Sequence, residues 1–200
     1  MRLNTLAEGG VIIDHNPPNT SDNLSNKVKH GLVILHTGEG KGKTTAALGL
    51  TMRALGHGLR VCVIQFIKSE NGRLGEIKMA QTMGMEWHQT GDGFTWKSQD
   101  LDNSAALSIH GWDLAQQKII SGAYDLILLD EFTYPLHFGW LDTLEVINWL
   151  KADKPEKLHL VITGRNAPQT LIDYADLATE MKAIKHPFEQ GVPGQKGIEF

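Results

Sequence analysis

The stretch Thr37-Gly38-Glu39-Gly40-Lys41-Gly42-Lys43-Thr44-Thr45 restricts the possible folds of this chain more than any other. It follows an apolar run, Leu32-Val33-Ile34-Leu35, and precedes a helix-compatible segment from Ala46 to Leu55. A strand, a glycine-rich turn and a helix in that order make a phosphate-binding loop. Glycines let the backbone curl until its N–H groups converge on phosphate oxygens. The helix that follows adds the partial positive charge of its N-terminus. Lys43 supplies a mobile cation, and Thr44 offers a hydroxyl to Mg²⁺. The chain is therefore expected to bind a nucleoside triphosphate through residues 37–45. The usual spacing, G-x-x-x-x-G-K-[ST], puts a glycine where this chain has Thr37. Gly38 and Gly40 are expected to supply the missing freedom.

From Gly31 onward, apolar runs alternate with helical patterns. Strands are expected at Leu32–His36, Val61–Ile67, Met85–Gln89, Leu126–Leu129, Leu158–Thr163 and Ala178–Ile184. Helices are expected at Thr44–Leu55, stopped by Gly56-His57-Gly58, and at Ser104–Ile120. Asp142 is placed to cap a further helix running to Leu150, with Glu145 as its capping-box partner. Pro168 suits the first turn of another, through Tyr174. This alternation predicts the α/β class: a mainly parallel open sheet with helices on both faces, the core of a P-loop NTPase of the RecA-like kind. Ligands of such sheets lie at the carboxyl ends of the strands.

Two hundred residues with 41% hydrophobic content fit one globular domain. It is expected over 31–200, preceded by a flexible arm over 1–30 that lacks Phe, Trp and Tyr and contains Asn16-Pro17-Pro18-Asn19. The net charge of −4, with acids and bases interspersed, argues against general nucleic-acid binding. No apolar stretch reaches the ~18 residues of a membrane span, and no secretory signal follows Arg2. The lone Cys62 sits in an apolar run, as a small buried hydrophobe does. These features predict a cytoplasmic protein without membrane or nucleic-acid partners. The histidines form no metal-ligand spacing.

Asp130-Glu131 closes the aliphatic run Leu126-Ile127-Leu128-Leu129, which puts a carboxylate beside the phosphate loop. With Thr44, either acid is expected to hold Mg²⁺ directly or through water. Arg165, in Thr163-Gly164-Arg165, reads either as a phosphate-binding guanidinium at a strand end or as a surface arginine. Lys41 is a weaker phosphate candidate than Lys43. Arg53 reads as solvated or partner-facing unless it reaches the base or ribose. Phe94 and Trp96, in the polar stretch Thr90-Gly91-Asp92-Gly93-Phe94-Thr95-Trp96, are either core anchors or an aromatic wall for a large flat ligand.

Several motifs in order resemble one family, the P-loop-type ATP:corrinoid adenosyltransferases. They are the phosphate loop, Arg53-Ala54-Leu55-Gly56-His57-Gly58, Gln65-Phe66-Ile67-Lys68, Gly93-Phe94-Thr95-Trp96, Leu129-Asp130-Glu131-Phe132-Thr133-Tyr134, Ile162-Thr163-Gly164-Arg165 and Lys196-Gly197-Ile198-Glu199-Phe200. The resemblance implies transfer of the 5′-deoxyadenosyl group of ATP to the cobalt of a reduced corrinoid, with triphosphate released. It implies that ATP lies reversed in the loop, 5′ carbon toward the corrinoid. Lys43, the loop amides, Arg165 and Mg²⁺ on Thr44 with Asp130 or Glu131 are then suited to the leaving group, and Phe94 and Trp96 match the aromatics that exclude the lower axial ligand of cobalt to ease its reduction. It further implies a homodimer and a reduced flavodoxin-like electron donor. The arm with Asn16-Pro17-Pro18-Asn19 departs from the charged, helix-prone leader common in the family. Two other classes compete with this reading: a generic P-loop ATPase or small-molecule kinase, and a nucleotide-binding module without turnover.

Overall fold

The computed structural model describes residues 30–69, 75–91 and 101–198, together with two short strands nearer the amino terminus, β1 (Asn4–Thr5) and β2 (Val11–Ile12). Those two pair antiparallel. The main sheet has six strands: β3 (Val33–Thr37), β4 (Val61–Ser69), β5 (Glu86–Gly91), β6 (Leu126–Asp130), β7 (His159–Thr163) and β8 (Leu177–Glu180). Their order is β5-β4-β6-β7-β3-β8, and every pairing is parallel. One strand, β7, therefore stands between the strand that feeds the phosphate loop and the strand that ends in Asp130. The expected α/β class and open parallel sheet are what the structure shows.

Side chains alternate across the sheet with the period of two that a pleated strand imposes. Val61, Val63, Leu126, Leu128, Val161 and Ile34 face helix α1 (Lys43–Gly56), with its Ala47 and Ala54. Their neighbours Cys62, Ile64, Ile127, Leu129, Leu160 and Ile162 face the opposite side. There they meet α3 (Leu101–Ile120), α5 (Thr143–Asp153) and α6 (Gln169–Tyr174), through residues such as Trp112, Ile147 and Leu171. Leu35, Ile64, Leu128, Leu129 and Ile162 are fully buried, each worth about 1.5–3 kcal/mol relative to an exposed position. Burial on both faces is why these strands read as unbroken aliphatic runs.

Asp142 caps α5 as expected, its Oδ1 accepting from the Glu145 N–H at 2.9 Å. Cys62 is buried, and burial pushes its thiol up to about 12. Glu86 and His88 lie within 4.8 Å of its Sγ, and Glu86 also pairs with Lys118 and accepts from the Tyr124 hydroxyl. Two α-helices were not expected from the sequence: α2 (Gly75–Thr82) and α4 (Thr133–His137). The last strand ends at Glu180 rather than Ile184. Beyond it the chain turns onto the phosphate loop instead of continuing the sheet: the Gly40 N–H donates to the Met181 carbonyl at 2.6 Å.

Candidate functional site

On the face toward α1, the aliphatic rows become polar as the strands reach their carboxyl ends. His36, Thr163, Asp130 and Gln65 follow Ile34, Val161, Leu128 and Val63 two positions on. The register puts His36 beside Thr163, Gln65 beside Asp130, and Gln65 beside Gln89. One polar row thus runs across the sheet beneath the start of α1. Asp130 is its centre and is fully buried. Its Oδ1 accepts from the Thr44 hydroxyl at 2.8 Å and the Thr163 hydroxyl at 2.7 Å. Its Oδ2 accepts from Gln65 Nε2 at 2.8 Å, and Gln65 Oε1 accepts from Gln89 Nε2 at 3.1 Å. Thr163 also accepts from the Glu131 N–H at 3.0 Å. His36 has no hydrogen-bond partner for either ring nitrogen among the described residues, and burial pushes its pKa down, so it is neutral under the loop.

The loop is braced from behind. A Cβ at Gly38 would lie 2.5 Å from the Met181 carbonyl oxygen, and one at Gly40 would lie 2.7 Å from backbone atoms of Lys182. Gly38 also has φ 98°, a left-handed conformation that side chains disfavour. These glycines are therefore required by the chain behind the loop as well as by any ligand in front of it. Thr37 ends β3, with its hydroxyl accepting from the Ala167 N–H at 3.3 Å. A threonine at this position ties the loop to the strand-end segment that carries Arg165.

A cavity of about 530 Å³ opens in front of the loop, lined by Gly40 to Thr45 and by Glu131, Tyr134 and Arg165. Lys43 is buried at its floor, its ammonium donating to the carbonyls of Gly38 and Gly40, each at 2.7 Å. Burial, and then the nearby Arg165 guanidinium, push the Lys43 pKa down, while Glu131, Glu39 and Asp130 oppose them. Tyr134 is held as a neutral phenol, raised first by burial and then by Glu131. No acidic residue lies within the first turn of α1, so no side chain of that turn offsets the partial positive charge of its N-terminus. Arg165 is fixed through its backbone, the Thr133 hydroxyl donating to its carbonyl at 2.6 Å. Its guanidinium pairs with Glu39 at 2.8 Å.

Of the sequence candidates, residues 40–45, Glu131 and Arg165 come together on this cavity. Asp130 lies directly behind it, bonded to Thr44. Thr37, Gly38 and Glu39 line an adjoining hollow of about 460 Å³, with Asn166 and Ala167. Arg53 is placed elsewhere. It is ten residues beyond Lys43 on α1, roughly 15 Å along the axis. There it borders a small apolar hollow with Leu32, His57 and His159 at the amino ends of the strands. Helix length carries Arg53 away from the phosphate loop, and no nucleotide-contacting role is assigned to it in this fold. Phe94 and Trp96 lie outside the described residues. Gln65, Thr163 and Tyr134 had no assigned role in the sequence reading. For Gln65 and Thr163 the signal was positional: toward the carboxyl ends of two buried strands the α1-facing position turns polar, where an aliphatic one was due.

The Thr44 hydroxyl and the Glu131 carboxylate on the cavity, with the Asp130 carboxylate behind Thr44, make an entirely hard-oxygen donor set that fits Mg²⁺. Among the described residues no helix is long and apolar enough to cross a membrane. A corrinoid adenosyltransferase from a Sinorhizobium species is 40% identical over 85% of this chain and 80% of its own length. The corrinoid adenosyltransferase of Escherichia coli K12 is 37% identical over 86% of this chain and 87% of its own. A solved structure of the RadB recombinase aligns at 12% identity and a TM-score of 0.41, over 79% of this chain and 77% of that one. The family described as ATP:corrinoid adenosyltransferase BtuR/CobO/CobP matches residues 29–200, and the chain belongs to that family.

Proposed function

We propose that the residues of this site divide the work of the reaction its family performs, transfer of the 5′-deoxyadenosyl group of ATP to the cobalt of a reduced corrinoid. The observation that carries the assignment is the 2.8 Å bond from Thr44 to Asp130. It closes the phosphate loop and the acidic strand end around one cavity. A generic ATPase or kinase shares the loop and the acid, but the family match over 29–200 does not favour it.

Cobalt in the +1 state attacks C5′ with its own electron pair, so no general base is needed. The C5′–O bond breaks in line, and its electrons leave on the triphosphate. The protein has to align cobalt with C5′, which contributes up to roughly 7–11 kcal/mol. It also has to stabilise charge growing on the leaving group. The amides of residues 38–45, Lys43 and Arg165 serve that end. Mg²⁺, held by Thr44 with Asp130 and Glu131, would offset the charge of the triphosphate. Lys41 contributes at the rim.

Phe94 and Trp96 form the wall that removes the lower ligand of cobalt(II) and so eases its reduction. A homodimer, a cytoplasmic setting and a reduced flavodoxin-like donor complete the reading, and residues 1–30 act as an arm outside the catalytic domain of 31–200. Supporting it are the order of the quoted motifs and the family match. Phe94→Ala and Trp96→Ala test the wall. Activity with cobalt(II) corrinoid and a protein reductant should fall by at least about tenfold more than activity with chemically pre-reduced cobalt(I), a difference of ~1.4 kcal/mol in barrier. Equal losses under the two conditions would remove the axial-ligand role.

A further inference from the structure

A glutamate in a phosphate loop needs an explanation, because a carboxylate repels the polyanion the loop is built to hold. Glu39 sits at the tip of this loop and pairs with Arg165, Oε2 to Nη1 at 2.8 Å. Arg165 lines the cavity in front of the loop, whereas Glu39 lines the adjoining hollow. The pair therefore stands on the lip between two spaces of about 530 and 460 Å³. Both side chains are substantially exposed, 44% for Arg165 and 59% for Glu39. Both backbones are held: Arg165 by the Thr133 hydroxyl, and Glu39 by flanking glycines packed on Met181 and Lys182. The side chains can swing while their anchors stay. Lys43 is engaged in a similar way, on the carbonyls of Gly38 and Gly40. Both cations thus rest on acceptors supplied by the loop itself.

We propose that Glu39 is a positioning residue that competes with the triphosphate for the Arg165 guanidinium, and so sets how tightly the leaving group is retained. This rests on reading the loop as a triphosphate cradle. As C5′–O breaks, the departing oxygen gains the electron pair of that bond, and the guanidinium moves from the carboxylate to the phosphates. When triphosphate leaves, Glu39 takes the guanidinium back. The competing carboxylate weakens product retention and speeds turnover.

Calorimetric titration of the full chain with tripolyphosphate and Mg²⁺, across Glu39→Gln, Arg165→Met and the double variant, tests this without relying on activity. Glu39→Gln should tighten binding by roughly fivefold, the upper range for an exposed ion pair. Arg165→Met should weaken it. In the Arg165→Met background the Glu39→Gln effect should shrink to less than about twofold, since only screened repulsion is left. Equal tightening in both backgrounds would reduce Glu39 to a simple repelling charge and overturn the proposal. So would unchanged or weaker binding in Glu39→Gln, which would make it an orienting partner, or wild-type affinity in Arg165→Met. Absence of any tripolyphosphate binding by the unaltered chain would instead bring down the cradle itself, and the inference with it.

Discussion

Lys43→Met should lower kcat/KM for adenosyl transfer by about 10²–10³-fold, the loss typical of one preorganised electrostatic donor, while leaving the fold intact. The two halves of that expectation have separate causes. The Lys43 ammonium is buried at the floor of the cavity, 2.7 Å from two loop carbonyls. A triphosphate entering the loop draws it across, and no other lysine in the turn is so enclosed. The stability half follows from its pKa, which burial and then Arg165 lower. A base with a lowered folded pKa binds fewer protons folded than unfolded, between that pKa and the ordinary lysine value. Stability therefore rises as pH climbs through that interval, and the cost of the buried charge is fully present below the lowered pKa. A methionine of similar reach removes that cost. Thermal unfolding at pH 7 should show a midpoint equal to or above the parent. Steady-state kinetics with varied ATP should show the activity loss, with kcat reduced. A variant that keeps kcat would remove Lys43 from the leaving-group role.

Asp130→Asn should cost about 1–3 kcal/mol of stability and roughly 10²-fold or more in activity. Asp130 accepts three side-chain hydrogen bonds, from Thr44, Thr163 and Gln65. An asparagine keeps one acceptor oxygen and turns an NH₂ toward a former donor. If that NH₂ meets Gln65, the amides of Gln65 and Gln89 can reverse in sequence, and the fold recovers part of the loss. If it meets Thr44 and Thr163, neither hydroxyl keeps its acceptor, and the Thr163 link to the Glu131 N–H loosens as well. Neither arrangement restores the carboxylate charge that the proposed Mg²⁺ would require. The activity loss should therefore exceed what the stability loss explains, and raised Mg²⁺ should recover only part of it. Denaturant titration and Mg²⁺-dependent rates on the same preparation separate the two effects. Full activity in Asp130→Asn would mean that the metal role does not lie with this residue.

How much of this was legible beforehand depended on whether the signal was local. The phosphate loop, the acid ending an aliphatic strand and the Asp142 cap are short-range patterns. Their chemistry is complete within a few residues, so each could be read from the chain alone. The Asp130 network was not. Gln65 and Thr163 matter because the parallel register sets them beside Asp130, and register is a property of the folded sheet. The bracing of Gly38 and Gly40 by Met181 and Lys182 was hidden for the same reason. The segment that supplies it was expected to continue as strand to Ile184, whereas it leaves the sheet after Glu180 to cover the loop. Arg53 illustrates the converse. Its place in a shared motif put it with the nucleotide residues, but ten residues of helix carry it toward the amino ends of the strands.

The bond of ATP that breaks separates adenosyl transfer from ordinary ATP hydrolysis. The most direct measurement is ³¹P NMR of the chain turning over Mg²⁺, ATP and a pre-reduced cobalt(I) corrinoid, with the corrinoid spectrum followed in parallel. One intact triphosphate should appear for each corrinoid that acquires a light-sensitive cobalt–carbon bond. ADP and phosphate in its place, with the corrinoid unalkylated, would contradict the account.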